Sequence, residues 1–149
     1  MINDDLKLRG DVAIVLKDKD GNVKDSREIQ NLVVSSGLTF ICSRMAGTSA
    51  GVMSHMALGS GTTAASASQT DLVSILGSRE ALDSTSASSN TITYVSSFEA
   101  GEGTGAVTEA GIFNASSSGT MLCRTVFPVV NKQADDTMSV TWTITLTAS

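Results

Sequence analysis

Nine residues near the C-terminal end, Met138 to Leu146, constrain the fold more than any other stretch. Met138, Val140, Trp142, Ile144 and Leu146 alternate with Ser139, Thr141, Thr143 and Thr145. A period of two without a break puts all the apolar groups on one face of a strand and scatters them around a helix. One apolar face and one Ser/Thr face describe a strand laid on a core, and such a strand needs neighbours on both edges. Thr91 to Phe98 repeats the pattern, with Ile92, Tyr94, Ser96 and Phe98 on one side and Thr93 and Val95 on the other. Further strands are expected at Asp11 to Leu16 and Val23 to Val34, joined by the Lys17–Asn22 turn with its Asp-Gly hairpin pair.

The stretch from Phe98 to Phe127 reads as a strand end, a loop and a hairpin. Gly101, Gly103 and Gly105 give the loop access to positive φ. Ala106 to Asn114 is apolar enough for a buried strand, Ala115 to Gly119 turns, and Met121 to Phe127 returns with β-branched and apolar residues. One helix is expected, capped by Ser35 or Ser36 and running to about Ala46, with Leu38, Ile41, Cys42 and Met45 as its apolar stripe and Gly47 as its stop. Phe40 and Arg44 fall partly outside that stripe. Shorter elements are expected as a strand at Met53–Leu58, a helical turn or two at Thr70–Leu76, a strand from Arg79 and a surface loop at Ser84–Asn90.

A chain of 149 residues suits one domain with a real core. Its charged fraction of 17% lies under the ~25% of ordinary soluble chains, and small polar residues take the difference. The expected fold class is all-β with one short helix, as a two-sheet antiparallel β-sandwich of about eight strands. The low charge fits either surface that another chain covers or an ordinary stable β domain. A net charge of −5 gives no basic footprint for nucleic acid. No apolar run approaches the ~18 residues of a membrane span, and the polar start MINDDLKLRGD is unlike a secretory signal. Cys42 and Cys123 are expected as free, buried thiols of a protein assembled in a cytoplasm.

Residues that could carry chemistry are few. Every Ser–His–acid triad would have to share His55, the single histidine, and no Gly-x-Ser-x-Gly elbow is present. Asp18, Asp20 and Asn22 sit two apart like a calcium loop, but Gly21 falls at the fourth position and no Glu stands where the closing ligand belongs. Gly59-Ser60-Gly61-Thr62-Thr63 has the glycines of a phosphate cradle without its Lys. Glu99, Glu102 and Glu109 flank the glycine loop and are expected to solvate its rim. The expectation is a protein with no catalytic residues, no metal and no cofactor.

Several fragments resemble small virion structural proteins of tailed bacteriophages. They are Asn31 to Leu38 (NLVVSSGL), Met56 to Thr63 (MALGSGTT), Phe98 to Gly105 (FEAGEGTG), Thr108 to Asn114 (TEAGIFN), the Cys-Arg return strand and the terminal Thr-Trp-Thr-Ile strand. They occur in order over most of the chain. The resemblance implies a particle component, foremost a capsid decoration or cementing protein bound outside the head. Its partners would be the major capsid protein and copies of itself, as a homotrimer. The alternative is a tail-associated subunit (fibre, collar or baseplate), with tail or fibre proteins as partners and a role in host-surface attachment. Neither nucleic acid nor membrane is among the expected partners, and the expected location is the virion. Residues 1–8, ahead of a single domain at 9–149, read either as a frayed terminus or as an arm that docks on a neighbouring subunit through Ile2, Leu6 and Leu8.

Overall fold

A computed structural model of the chain describes residues 5–48 and 51–148. The elements are β1 (Leu6–Lys17), β2 (Val23–Val33), α1 (Ser35–Met45), β3 (His55–Gly59), β4 (Glu80–Ala81), β5 (Ser84–Ser88), β6 (Thr91–Phe98), β7 (Gly105–Phe113), β8 (Met121–Lys132) and β9 (Thr137–Ala148). The chain is mostly β, as the alternation requires. Hydrogen bonding joins the strands into one antiparallel sheet of nine, in the order β4-β3-β7-β8-β2-β1-β9-β6-β5, rather than the two separate sheets expected.

That sheet is bent into a half-barrel, and β2 is where it bends. From Val23 to Asn31 β2 pairs with β1, but only Leu32 and Val33 pair with β8, at Arg124 and Cys123. Beyond that contact the two strands part. At the far side, β4 and β5 are successive pieces of one stretch: β4 pairs with β3, and β5 pairs with β6. The Leu82 N–H donates to the Ser54 carbonyl and the Asp83 N–H to the Val95 carbonyl, so this stretch steps from one end of the sheet to the other. One core therefore takes Val12, Ile14, Leu16, Phe98, Met138, Val140 and Trp142 from one half and Met56, Leu58, Val107, Ile112 and Phe127 from the other.

The alternating strands behave as their pattern demands. Met138, Val140, Trp142 and Ile144 are buried, as are Tyr94, Ser96 and Phe98 on β6. The β1–β2 hairpin turns at Gly21, whose φ is +84°, and Asp18 accepts from the N–H groups of Asp20 and Asn22. Its carboxylate thus serves the turn itself.

Other expectations need correction. β1 begins at Leu6, which pairs with Ala148, and Leu8 pairs with Leu146 and packs on the core. The sheet thus starts inside the segment expected as an arm, because an alternation of Leu6, Leu8 and Gly10 continues β1 backwards. Ile2 lies outside the described residues. The helix has no side-chain cap; Val34 holds the cap position and Ser36 Oγ donates across to the Met121 carbonyl. Its inward face also differs. Gly37 is buried, Phe40 and Ile41 pack on the core, and Leu38, Cys42 and Met45 face outward. Gly37 sets that rotation: a side chain there would run into the Leu122 carbonyl of β8, so the helix rests its backbone on the strand at this point. Thr70–Leu76 forms no helix, and Ser84–Ser88 is a strand instead of a loop, made into a hairpin with β6 by Ser89 at φ +54°.

Candidate functional site

Two features hold the polar and apolar groups that simple alternation leaves unexplained. The first is a buried ionic cluster between β7, β8 and the irregular segment 60–76. Glu109 on β7 and Arg124 on β8 are both fully buried, with Arg124 Nη2 2.8 Å and Nε 2.9 Å from Glu109 Oε2. The same carboxylate accepts the N–H groups of Gly61 (2.9 Å), Ser74 (2.7 Å) and Val73 (3.1 Å). Arg124 Nη1 in turn donates to the Thr63 carbonyl and to Gln69 Oε1. Thr108 Oγ1 closes the network on the Gly61 carbonyl.

Burial pushes the Glu109 carboxyl up, but the Ser74, Val73, Arg124 and Gly61 donors outweigh it and hold it below the usual carboxylate range. Glycine is required at 59 and 61 because a side chain at either would come within 2.5 Å of Glu109 Oε1. The glycines of the GSGTT segment thus do form part of an anion cradle. Its anion is the chain's own carboxylate.

The acidic trio expected around the glycine loop is accordingly split. Glu109 lies in the core. Glu102 Oε2 accepts the Glu99 N–H, and Glu99 Oε2 accepts Thr137 Oγ1 at the loop rim. A smaller buried cluster stands below that rim, where Lys132 Nζ donates to the carbonyls of Glu99 and Asp136. The Asp136 side chain accepts from Lys24 Nζ at 2.7 Å and from the Gln133 N–H. The Lys24 hydrogen bond, with that of Gln133, keeps the Asp136 carboxyl below its usual range. Ser54 Oγ lies 2.8 Å from His55 Nδ1, and no carboxylate contact to His55 completes a triad among the described residues. Cys123 is a buried free thiol pushed up to about 12 by burial, whereas Cys42 is free and exposed, contrary to expectation.

The second feature is an apolar groove of about 450 Å³ between α1 and the sheet. Phe40, Ile41, Met53, Tyr94, Ile144 and Leu146 wall it, and among the described residues Arg44 is the one charged residue along it. Met45 (83% exposed) and Val52 (61%) stand at its rim, with Leu38 farther along the helix. Apolar side chains this exposed and this close together favour contact with another surface. Of the residues expected to bind a partner, Leu6 is 61% exposed at the start of β1, and Leu8 is half-buried beside Leu146. The groove itself was not legible in the sequence, because the helix stripe points away from its expected direction.

Comparison of the chain with protein-family models, with curated proteins and with solved structures finds no match in any of the three.

Proposed function

We propose that this protein is a structural component of a tailed-phage particle, a capsid decoration protein that binds the outside of the head and stabilises it. The exposed apolar groove beside α1 is the observation that carries the reading, since it offers a contact surface that another chain can cover. The ordered motif set described above supports it independently. We read the bent sheet as a sandwich-like body of two layers, which suits a small module carried on a shell. The partners in this reading are the major capsid protein and two further copies of the chain. The role is non-enzymatic and needs no metal or cofactor.

Stabilisation follows from mass action. A ligand that binds only the assembled shell stabilises each site by about 2.7 kcal/mol at a hundred times Kd. An oligomer that reaches several capsid subunits gains further from effective concentration.

The test is co-sedimentation of the purified protein with empty heads and, separately, with tails. Wild-type protein is expected in the head pellet, and Met45→Asp with Val52→Asp is expected to stay in the supernatant while melting like wild type. Recovery with tails and not with heads replaces this reading with that of a tail fibre, collar or baseplate subunit.

A further inference from the structure

Segment 60–76 lies across β3 and β7 like a strap, and little apolar contact holds it there. From Gly61 to Ser74, among the described residues, only Leu72 packs on a buried cluster, formed by Val34, Ala57, Phe113 and Met121. Most of the other residues are exposed. One carboxylate does the fastening. Glu109 Oε1 accepts from Gly61 at the start of the strap and from Ser74 at its end, and Oε2 accepts from Val73 and from Arg124. The middle of the strap reaches the same ion pair through Thr63 and Gln69, and the Ala67 carbonyl accepts the first N–H of α1, that of Ser35, at 2.8 Å. Among the described residues, every group hydrogen-bonded to the Glu109 carboxylate is a donor. A proton on either oxygen would face those N–H groups, find no acceptor, and leave the Arg124 charge buried without its counter-ion.

We propose that Glu109 is the latch of an acid-released strap: protonation of its carboxylate detaches residues 61–74 while the sheet stays paired, and uncovers the apolar face made by Ala57, Phe113 and Met121. The strap swings from its own ends, where the Leu76 N–H donates to the Leu58 carbonyl and Gly59 pairs with Ile75. Its release also takes the Ala67 carbonyl from the Ser35 N–H, so the first turn of α1 loosens with it. The donors that would reject the proton hold the carboxyl below its usual range. The latch is therefore closed above the ordinary value of about 4.3 and opens as pH falls through the folded value. Other charges around Glu109 are few. β8 brings Arg124 at the latch and Lys132 opposite Gly105, at the far end of β7. The strap brings Asp71, held 3.5 Å from Arg79, and β3 brings His55 opposite Phe113, four residues along from Glu109. None of these accepts a hydrogen bond from the Glu109 carboxyl.

Backbone amide signals of the full chain, followed by nuclear magnetic resonance from neutral pH into acid, test the latch, with Trp142 fluorescence reporting the sheet. In wild type the signals of 61–74 are expected to reach unfolded positions at a higher pH than those of β1, β6 and β9. A dye that fluoresces on apolar surface should bind in the interval between the two transitions. Glu109→Gln sets a permanent N–H against the same donors, so its strap is expected to be free already at neutral pH with Trp142 still buried. Asp136→Asn, away from the latch, is expected to leave the strap transition where wild type has it. Where Glu109→Gln fails to fold, the wild-type titration decides alone. Strap and sheet signals lost in one step, strap signals that outlast those of the sheet, or a folded Glu109→Gln with its strap attached at neutral pH overturns the proposal.

Discussion

The β1–β9–β6 half of the molecule and the β3–β7–β8 half share one core but are held differently. In the first, the inward positions are apolar apart from Gly10 and Ser96, and the strands pair over eight to twelve residues in simple register. In the second, β7 is buried on both faces from Val107 to Phe113, and its polar residues must be satisfied from within. Glu109 finds Arg124 and three backbone donors, and by doing so pins segment 60–76, which has almost no regular structure of its own. Patterned apolar burial needs only a consistent alternation. A buried charge needs specific partners, and it penalises any arrangement that fails to supply them.

The largest effect should come from splitting the ion pair. Arg124→Met is expected to cost about 3–5 kcal/mol in chemical denaturation, because Glu109 is left charged and buried. Replacing both members, with Glu109→Met added, should recover part of that cost, since no uncompensated charge remains. A double variant less stable than the single one would show that the loop donors, and not the pair, dominate. In the other half, Trp142→Ala removes a fully buried ring and is expected to cost about 3–5 kcal/mol through cavity formation. The two losses differ in kind. Hydrogen exchange should rise selectively at Gly61, Val73 and Ser74 in Arg124→Met, and broadly across β1, β6 and β9 in Trp142→Ala.

Acid sharpens the contrast with the smallest effect. The Glu109 carboxyl is lower in the folded chain than in the unfolded one. Its contribution is therefore complete above the ordinary carboxylate value of about 4.3 and is lost as pH falls through the folded value. Glu109→Gln should flatten that part of the stability–pH curve. Asp136→Asn should flatten a separate part, because Lys24 lowers Asp136 independently. Superimposable acid limbs for wild type and Glu109→Gln would show that the carboxylate is not held low.

Legibility in the sequence follows the same division. Met138–Leu146 and Thr91–Phe98 could be placed residue by residue, because alternation specifies both strand and facing. Gly21 marked its turn, and Gly47 marked the helix end. The half-barrel was hidden because β2 divides its pairing between β1 and β8, and nothing local to Leu32 or Val33 announces that exchange. Glu109 resembled a rim residue because its partner Arg124 is fifteen positions away on the next strand. Gly37 looked neutral, although its close approach to Leu122 turns the whole helix and exposes Leu38 and Met45. Ser84–Ser88 looked like a loop because none of its side chains is apolar enough to declare a face.

The filled cradle has a consequence for how this molecule meets its surroundings. A cradle of backbone N–H groups beside a guanidinium is a receptor, and Glu109 is a ligand tethered to it by the chain itself. Tethering keeps the local supply of carboxylate high whatever the medium contains. Occupancy is then set by folding and not by the concentration of any free anion. The order of segment 60–76 is thereby insulated from changes in phosphate, acetate or chloride that would govern the same cradle left open.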